Sequence, residues 1–310
     1  MKKLALATLA LFLLAIAVLG SFLLHAHWQV RTIDMALPSR EALASLVDIA
    51  DAPIDIRYLN TGKQENPAGT PMAYPVFVLE WADGRRFAID AGMDAKRARD
   101  FGKPIEFALG FDPMEPLGSV GRQLGTALGS VAGIAFTHLH VDHTQGIASL
   151  CPPGARPLRV FQTPTQADVG NYMTNPGKAQ LEDAACARIE RLAGGPLFEI
   201  PGFPGLVAIE AGGHTPGSTV FATHVQGTTW LFSGDITNFR DAMLEDRPKE
   251  RIYSLFITPE APARLSKLRR WLAALDADPR IDVVVSHDGT ALESSGLRAW
   301  EPPAGDTRAR

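Results

Sequence analysis

The sequence predicts an α+β protein in which two β-sheets pack face to face with helices outside them, preceded by one N-terminal transmembrane helix. Strand patterns and helical patterns alternate in blocks through residues 53–290, and no boundary divides this range into independent domains. Ahead of this range lies an apolar run long enough to cross a bilayer. We therefore expect a single folded body behind a membrane segment.

The overall composition is that of a globular protein without a nucleic-acid partner. The chain has 310 residues, of which 46% are hydrophobic and 21% are charged, so it can bury a sizeable core. Its net charge is −4, and it has no long run of either sign. Nucleic-acid binding usually requires a basic patch or stripe, so no such partner is expected.

The N-terminal segment has the composition of a membrane anchor. Two lysines precede a mostly apolar run over residues 4–24, which exceeds the core of a typical signal peptide and matches a bilayer-spanning helix. Trp28 suits the membrane interface, and the lysine pair favours the cytoplasmic side. We therefore expect residues 1–28 to form an uncleaved anchor that places the rest of the chain outside the cytoplasm. The alternative is a cleaved signal and a secreted protein.

The elements of the body follow from hydrophobic periodicity and turn residues. Residues 29–52 are expected as a stalk with a short helix capped by Ser39, and Asp83-Gly84 marks a hairpin. Strand patterns cover residues 54–59, 76–81, 86–90, 131–136, 158–161, 207–210, 219–223, 229–232 and 281–286. Helical patterns cover residues 117–128, 164–172 and 178–193 and a helix that begins at Thr258-Pro259-Glu260. Residues 67–75 are expected as a loop, 93–116 as an irregular helical region or a lid, and 291–310 as a C-terminal tail.

The chain has two cysteines, Cys151 and Cys186, and neither lies in a Cys-x-x-Cys or zinc-knuckle spacing. Outside the cytoplasm the two could form a disulfide, whereas as free thiols they would be two small buried hydrophobic residues. The sequence leaves both interpretations open.

A cluster of metal-binding side chains follows the strand pattern at residues 131–136. His138, His140, Asp142 and His143 lie within six residues of one another. Buried imidazoles and carboxylates cost several kcal/mol unless they are paired or bind a metal ion. Imidazole nitrogen and carboxylate oxygen are also the ligands of catalytic zinc sites. We therefore expect a metal site here rather than a polar surface turn.

Three further polar residues follow apolar strands. His214 lies in a Gly-rich turn between two strands, Asp235 ends one strand, and His287 ends another. Taken singly, each histidine is more often a structural residue, and an aspartate after a glycine is common in turns. Because a sheet gathers strand ends at one edge, the shared position of these residues favours one common site.

The order of these motifs resembles that of the metallo-β-lactamase superfamily. Its successive motifs match Asp90-Ala91-Gly92, the run from His138 to His143, Gly213-His214-Thr215-Pro216-Gly217, Ser233-Gly234-Asp235 and Ser286-His287. The resemblance covers roughly residues 54–290 and implies a four-layer αββα sandwich. It also implies one zinc ion held by His138, His140 and His214, a second held by Asp142, His143 and His287, and Asp235 as the bridge between them.

Within the superfamily, the bridging position narrows the expected substrate. Asp235 stands where true β-lactamases have Cys or Ser, so the resemblance favours the lactonase-like and glyoxalase II-like branches. The ending Ser286-His287-Asp288 looks more like that of N-acyl-homoserine lactonases, which often carry a carbonyl-orienting tyrosine where this chain has Asn238. Asn238 is expected either as a hydrogen-bond donor to the substrate or as a plain turn residue.

The expected function of residues 53–290 is that of a dinuclear zinc hydrolase. A hydroxide that bridges the two zinc ions would attack an ester or lactone carbonyl, and Asp142 would handle the proton at the leaving atom. The favoured substrate is a small molecule such as an N-acyl-homoserine lactone, and a membrane anchor suits an amphiphilic one. The alternatives are a thioester or phosphodiester hydrolase, a mononuclear iron oxygenase, and a membrane-tethered metal-binding sensory module. The oligomeric state stays open.

Overall fold

Two β-sheets form the centre of the protein in the computed structural model, which describes residues 2–302. The strands are β1 (Asp55–Glu65), β2 (Pro71–Glu80), β3 (Arg86–Ile89), β4 (Glu115–Pro116), β5 (Val131–Ala135), β6 (Leu158–Gln162), β7 (Ala187–Arg191), β8 (Phe198–Glu199), β9 (Leu206–Glu210), β10 (Thr219–Val225), β11 (Thr228–Phe232), β12 (Ile281–Val284) and β13 (Arg298–Ala299). The helices are α1 (Lys2–Arg31), α2 (Arg40–Ala44), α3 (Ala95–Leu109), α4 (Val120–Leu124), α5 (Val141–Thr144), α6 (Ile147–Leu150), α7 (Pro164–Asp168), α8 (Asn175–Asp183), α9 (Arg240–Leu244), α10 (Pro262–Asp276) and α11 (Gly289–Ser294). Short 3₁₀ helices cover Gly125–Ser130 and Gly234–Ile236, and a π-helical turn covers Tyr253–Ile257.

Each sheet contains parallel neighbours whose carboxyl ends share one edge. The first sheet has the order β13-β1-β2-β3-β5-β6-β7, with β4 paired to β1, and its strands β3, β5, β6 and β7 are parallel. The second sheet has the order β12-β11-β10-β9-β8, and β11 and β12 are parallel. The loops after β3 and β5, and those after β11 and β12, are therefore neighbours at the edges of their sheets.

Three apolar layers hold the sheets and helices together. Between the sheets, aromatic rings interdigitate, and the ring centroids of Phe77 and Phe232 lie 4.5 Å apart. Leu268 of α10 belongs to the layer that covers the outer face of the second sheet, and Leu181 of α8 to the layer that covers the first. The result is a four-layer αββα sandwich, which confirms the predicted fold class.

Helix α1 carries the apolar N-terminal run. It is long and apolar enough to span a membrane or to serve as a signal sequence, and its most apolar stretch is not buried by the rest of the protein. Its last turns differ, because Ala26, His27 and Val30 are buried against the body. His27 Nε2 donates a hydrogen bond to the carbonyl oxygen of Leu255 at 3.0 Å. The helix is thus attached to the folded body at its C-terminal end.

Three local predictions are wrong, each where tertiary packing outweighs the local pattern. Strand β2 begins at Pro71, inside the predicted loop at 67–75. Residues 187–191 form the edge strand β7 rather than the end of a helix, because they pair along their length with β6. The predicted helix start at Thr258 is not helical, and α10 begins at Pro262 instead.

The C-terminal part of the described chain returns to the first sheet. Strand β13 pairs in parallel with β1, and the Trp300 N–H donates to the carbonyl oxygen of Tyr58 at 2.6 Å. The predicted tail thus contains most of α11 and an edge strand, whereas residues 303–310 lie outside the described part of the chain. The domain boundaries after residues 28, 52 and 290 stay a prediction.

A disulfide joins Cys151 and Cys186, whose Cα atoms lie 5.2 Å apart. It connects the residue that follows α6 to the residue that precedes β7. Of the two interpretations left open by the sequence, the structure therefore contains the bonded one. Such bonds are typical of proteins outside the cytoplasm.

Candidate metal centre

The first half of the candidate site follows strand β5. His138, His140, Asp142 and His143 lie in the loop after the strand and in helix α5. His140 caps this helix with an extended backbone, and Asp142 and His143 fall in its single turn. Consecutive members of this set are separated by at most one residue. All four side chains therefore lie at the same edge of the first sheet.

Asp90, which follows β3, fixes the orientation of this loop. Its φ of 64° is in the left-handed region, which aspartate tolerates better than most residues. Its carboxylate accepts hydrogen bonds from the Thr137 N–H and Oγ1, both at 2.8 Å, and from His143 Nδ1 at 2.9 Å. The aspartate thereby ties the end of β3 to the loop after β5 and holds one imidazole by its Nδ1.

The second half of the site comes from loops of the other sheet. His214 lies between β9 and β10, Asp235 follows β11, and His287 follows β12. Gly234 has a φ of 57°, and a Cβ at this position would lie 2.7 Å from the Cβ of Thr137. Glycine is therefore required where the two halves of the site meet.

The structure brings together all seven side chains that the sequence predicts as metal ligands. They form three overlapping groups, in each of which the ligand atoms lie within 4.8 Å of one another: His138, His140 and His214; His138, His143 and Asp235; and Asp142, His143 and His287. None of the seven is more than 7% exposed. The group that contains Asp235 shares His138 with the first group and His143 with the third.

Several of these buried atoms make no hydrogen bond with a described residue, although Oδ1 of Asp235 lies 3.4 Å from His143 Nε2 and 3.2 Å from His287 Nε2. Among residues 2–302, Nε2 of His138, His140 and His143 and Oδ1 of Asp235 are buried without a hydrogen bond. Buried polar atoms are nearly always satisfied in native proteins, so four unsatisfied ones at one place call for a bound group. Imidazole nitrogens and a carboxylate oxygen suit a divalent cation such as zinc. The donor set therefore fits the metal that the fold family implies.

The charge states of His138, His140 and Asp235 suit metal binding. Burial, together with the neighbouring imidazoles, holds the pKa of His138 and of His140 well below the ordinary value. Burial acts to raise the pKa of Asp235, but the imidazoles of His287 and His138 outweigh it and hold this pKa well below its ordinary value. Neutral imidazole and ionised carboxylate are the forms that bind a metal ion. Burial acts to lower the pKa of His143 and of His287, but the carboxylates of Asp90 and Asp235 beside them outweigh it and raise both pKa values.

The sequence did not reveal a buried charged network behind His214. Glu260 Oε1 accepts a hydrogen bond from His214 Nδ1 at 2.7 Å, and Lys249 Nζ lies 3.2 Å from the same oxygen. Lys249 also donates to the main-chain oxygen of Asp235 at 2.9 Å. Burial acts to raise the pKa of Glu260, but Lys249 and His214 outweigh it and lower this pKa to about 2. The glutamate is therefore ionised and fixes the tautomer of His214.

Asn238, the predicted carbonyl-orienting residue, lies three residues after Asp235 and is half-buried. Its Oδ1 is buried and has no hydrogen-bond partner among the described residues. No hydrogen bond within residues 2–302 joins it to the seven clustered side chains. Its role stays a prediction.

Several solved structures share this fold. An N-acyl homoserine lactone hydrolase with the product N-hexanoyl-L-homoserine at its catalytic metal center has a TM-score of 0.58 and 14% identity, over 80% of this chain and 98% of that chain. A quorum-quenching N-acyl homoserine lactone hydrolase has a TM-score of 0.57 and 14% identity, over 80% and 97% of the two chains. AidC, a dizinc quorum-quenching lactonase, has a TM-score of 0.50 and 14% identity, over 78% and 91%. At this identity the similarity establishes the fold.

The sequence comparisons identify the family. A search of the curated proteins finds no match to this chain. The family model described as metallo-beta-lactamase superfamily matches residues 69–287, which include strand β3, the whole histidine cluster and His287. The matched range, the αββα sandwich and the clustered His and Asp side chains agree with one another. The chain therefore belongs to the metallo-beta-lactamase superfamily, most of whose members are hydrolases.

Proposed function

We propose that this protein is a dinuclear zinc hydrolase that opens an ester or lactone. The observation that carries the proposal is the buried set of seven His and Asp side chains, whose unsatisfied atoms converge in three overlapping groups. His138, His140 and His214 would hold one ion, and Asp142, His143 and His287 the second. Asp235, which borders both groups, would hold the two together.

The protein's own residues prepare this chemistry. Two divalent ions in such a site polarise a carbonyl oxygen and lower the pKa of a coordinated water toward neutrality. Asp90 and Glu260 orient His143 and His214 through Nδ1, so that each ring presents Nε2 to the site. Asp142 would hold the proton that the leaving oxygen receives, and the Asn238 amide would donate a hydrogen bond to the substrate carbonyl.

An acyl lactone is the substrate class that we favour. The similar structures include lactone hydrolases, and one of them holds an acyl-homoserine product at its metal center. An aspartate at position 235 supports the same class, through the resemblance of the motifs. The apolar N-terminal helix and the apolar residues of α3 suit a substrate with an acyl chain.

We further propose that the body lies outside the cytoplasm and remains anchored by α1. The lysines that precede the apolar run favour the cytoplasm, which would leave the body on the opposite side. The disulfide between Cys151 and Cys186 supports an oxidising compartment. In this arrangement residues 29–52 connect the anchor to the catalytic domain, which covers residues 53–290.

The proposal is tested on the full-length chain in detergent, loaded with zinc. Metal analysis should find two zinc ions per chain, and a panel of short- and long-chain acyl lactones, thioesters and phosphodiesters should show zinc-dependent turnover of lactones. Asp142→Asn should lower turnover by at least about 100-fold, because it removes the proton-handling carboxylate. Its circular dichroism spectrum should match that of the wild type. One iron per chain without zinc-dependent hydrolysis, or a near-normal rate in the variant, would overturn the proposal.

A further inference from the structure

Three large apolar side chains are exposed on the segment that runs beside the candidate metal centre. Ile252 is 72% exposed, Phe256 is 65% exposed, and Ile257 is 44% exposed. We call these three residues the apolar strip. Single exposed apolar residues are common, whereas apolar residues exposed close together often mark a surface that contacts a partner or a membrane.

The apolar strip lies next to the point where α1 joins the body. The hydrogen bond from His27 Nε2 ends on the carbonyl oxygen of Leu255, the residue directly before Phe256. Trp28, one residue further along α1, is exposed. Because each helical residue advances about 1.5 Å along the axis, the end of the apolar run at residue 24 lies about 5 Å from this contact. The strip is therefore at the level where the bilayer surface must lie if α1 spans it.

The same segment borders the metal centre at both of its ends. Before the strip, Lys249 Nζ donates to the main-chain oxygen of Asp235 at 2.9 Å. After the strip, Glu260 accepts the hydrogen bond from His214 at 2.7 Å. Ile33, in the connection that follows α1, lies on this side as well. It contacts Gly212 in the loop that carries His214, where a Cβ would lie 2.6 Å from Cγ2 of Ile33. The rim of the site, the strip and the anchor are thus contiguous.

The two charges that directly precede the strip give no net attraction to a charged partner. Glu250 and Arg251 precede Ile252 directly, are both exposed, and cancel each other in charge. Binding through this segment should therefore depend on apolar insertion, which salt screens little, rather than on attraction to anionic lipid.

We infer that Ile252, Phe256 and Ile257 insert into the surface of the bilayer that α1 crosses, so that the rim of the metal centre faces lipid. The body then lies on the membrane instead of extending from it on a stalk. This inference rests on the proposed function where it names the substrate: an ester or lactone with an acyl chain, taken up from the bilayer rather than from water.

The test measures the depth of the strip in the full-length chain, reconstituted in phosphatidylcholine bilayers. Cys151 and Cys186 are bonded to each other, so a nitroxide label can be placed at Phe256→Cys. The matched control is Ile54→Cys, because Ile54 is 52% exposed and directly precedes β1. Strand β1 runs parallel to β3, whose carboxyl end lies at the site, so β1 begins at the opposite edge of the sheet. We expect the label at 256 to lose collisions with a water-soluble nickel chelate and to gain collisions with oxygen, relative to the label at 54.

Two outcomes would overturn the inference. One is a label at 256 that is as accessible to the chelate as the label at 54. The other is a label at 256 that is protected from the chelate only at a high ratio of protein to lipid. Loss of this protection on dilution in lipid would show that a second copy of the chain covers the strip. A protected label without hydrolysis of any ester or lactone would instead reject the proposed function and leave the docking intact.

A second measurement addresses the substrate. In the variant with Ile252→Ser, Phe256→Ser and Ile257→Ser, KM for a long-chain ester embedded in the bilayer should rise relative to the wild type. KM for a short-chain ester dissolved in water should stay the same. An equal change in both KM values would contradict uptake from the bilayer.

Discussion

At the scale of single residues, the centre is organised by the partners that lie behind the clustered histidines. His143 donates to Asp90, His214 to Glu260, and His287 to the carbonyl oxygen of Ala73 at 2.8 Å. In each ring Nδ1 makes this hydrogen bond, so Nε2 faces the other clustered side chains. A ring held in this way loses little rotational freedom when it binds a metal ion, so the site is prepared before the metal arrives.

Glu260→Gln is expected to weaken zinc binding. The amide still fits the space, but it removes the negative charge that polarises His214 and balances Lys249. A partner of this kind typically contributes about 10–100-fold in metal affinity, so we expect a loss in that range. The measurement is a zinc titration against a competing chelator.

The matched control for this titration is Glu250→Gln, which changes an exposed glutamate of the same loop region. It should bind zinc as the wild type does. Equal zinc affinity in the two glutamine variants would mean that Glu260 does not position His214.

Sequence reasoning was strongest for the clustered side chains and weakest for their partners. His138, Asp235 and His287 each lie three residues after the last residue of an apolar strand, and this signal is local. Glu260 gave no comparable signal, because it lies 46 residues from His214 and its Thr-Pro-Glu context is typical of a helix start. The preference of Pro259 for a first helical turn was outweighed by the burial of this glutamate beside the cluster.

At the scale of elements, the link between α9 and α10 depends on one aspartate. Asp246 accepts hydrogen bonds from Ser266 Oγ at 2.5 Å, from Arg269 Nε at 2.9 Å and from Arg270 at 2.9 Å. Arg269 is buried, so its guanidinium needs this carboxylate. Burial acts to raise the pKa of Asp246, but Ser266 and Arg269 outweigh it, and the pKa lies below its ordinary value of 3.8.

Asp246→Asn is expected to destabilise the protein by roughly 1.5–3 kcal/mol near neutral pH, the usual contribution of hydrogen bonds to a charged group. The pKa of Asp246 is lower in the folded state than in the unfolded state. Its carboxylate therefore stabilises the folded state at pH values above the unfolded pKa, and this contribution is lost as the pH falls through the folded pKa. The difference in the free energy of unfolding between wild type and variant should therefore shrink below about pH 4. Urea unfolding at a series of pH values measures it.

Asp241→Asn, at an exposed position of α9, is the control for this series. A difference between Asp246→Asn and wild type that is constant from neutral to acidic pH would show that the charge of Asp246 does not contribute.

The disulfide provides a second prediction at this scale. It closes a loop of 35 residues between the end of α6 and the start of β7. Cross-linking a loop of this length stabilises the folded state by about 3–4 kcal/mol, chiefly by restricting the unfolded chain. Cys186→Ser should lower the free energy of unfolding by about this amount, measured with denaturant under oxidising conditions.

Reduction of the wild type should remove the difference from Cys186→Ser, and Cys151→Ser should behave as Cys186→Ser does. A reduced wild type that stays as stable as the oxidised protein would contradict the prediction.

The elements that sequence patterns missed are those whose state depends on distant neighbours. Strand β7 has Arg, Glu and Arg around a single Ile, a composition that fits a solvated helix as well as an edge strand. The segment is a strand because it pairs with β6, and this pairing cannot be inferred from the sequence of the segment alone. For residues 93–116 the sequence predicts either an irregular helical region or a lid, and the structure forms helix α3 there although Gly102 and Pro104 interrupt the helical pattern.

At the scale of the whole molecule, the two sheets meet so that four strand ends share one site. The alternation of strand and helix patterns was sufficient to predict the sandwich, because each block of apolar residues needs a partner layer. The attachment of α1 was not predictable, since its contacts with Gly170 and Leu255 join residues more than 140 positions apart. The C-terminal turn of the helix is therefore part of the folded body.

We expect α1 to be retained in the mature protein. Cleavage after the apolar run would remove or free the turn that holds Ala26, His27 and Val30 against the body. Intact mass spectrometry of the protein from the membrane fraction should therefore find the apolar run still present, and alkaline carbonate should fail to extract it. A soluble protein that begins after residue 24 would contradict this prediction and favour a cleaved signal.

The small strands at the margin of the first sheet bear on the solubility of the protein. An unpaired sheet edge is a template on which identical molecules can stack into aggregates. The outer side of β1 is occupied by two strands of two residues each, β4 at Gly62 and Lys63 and β13 at Arg57 and Tyr58. Residues far apart in the chain thus cover the same edge, which leaves less of β1 open to pairing with a second molecule.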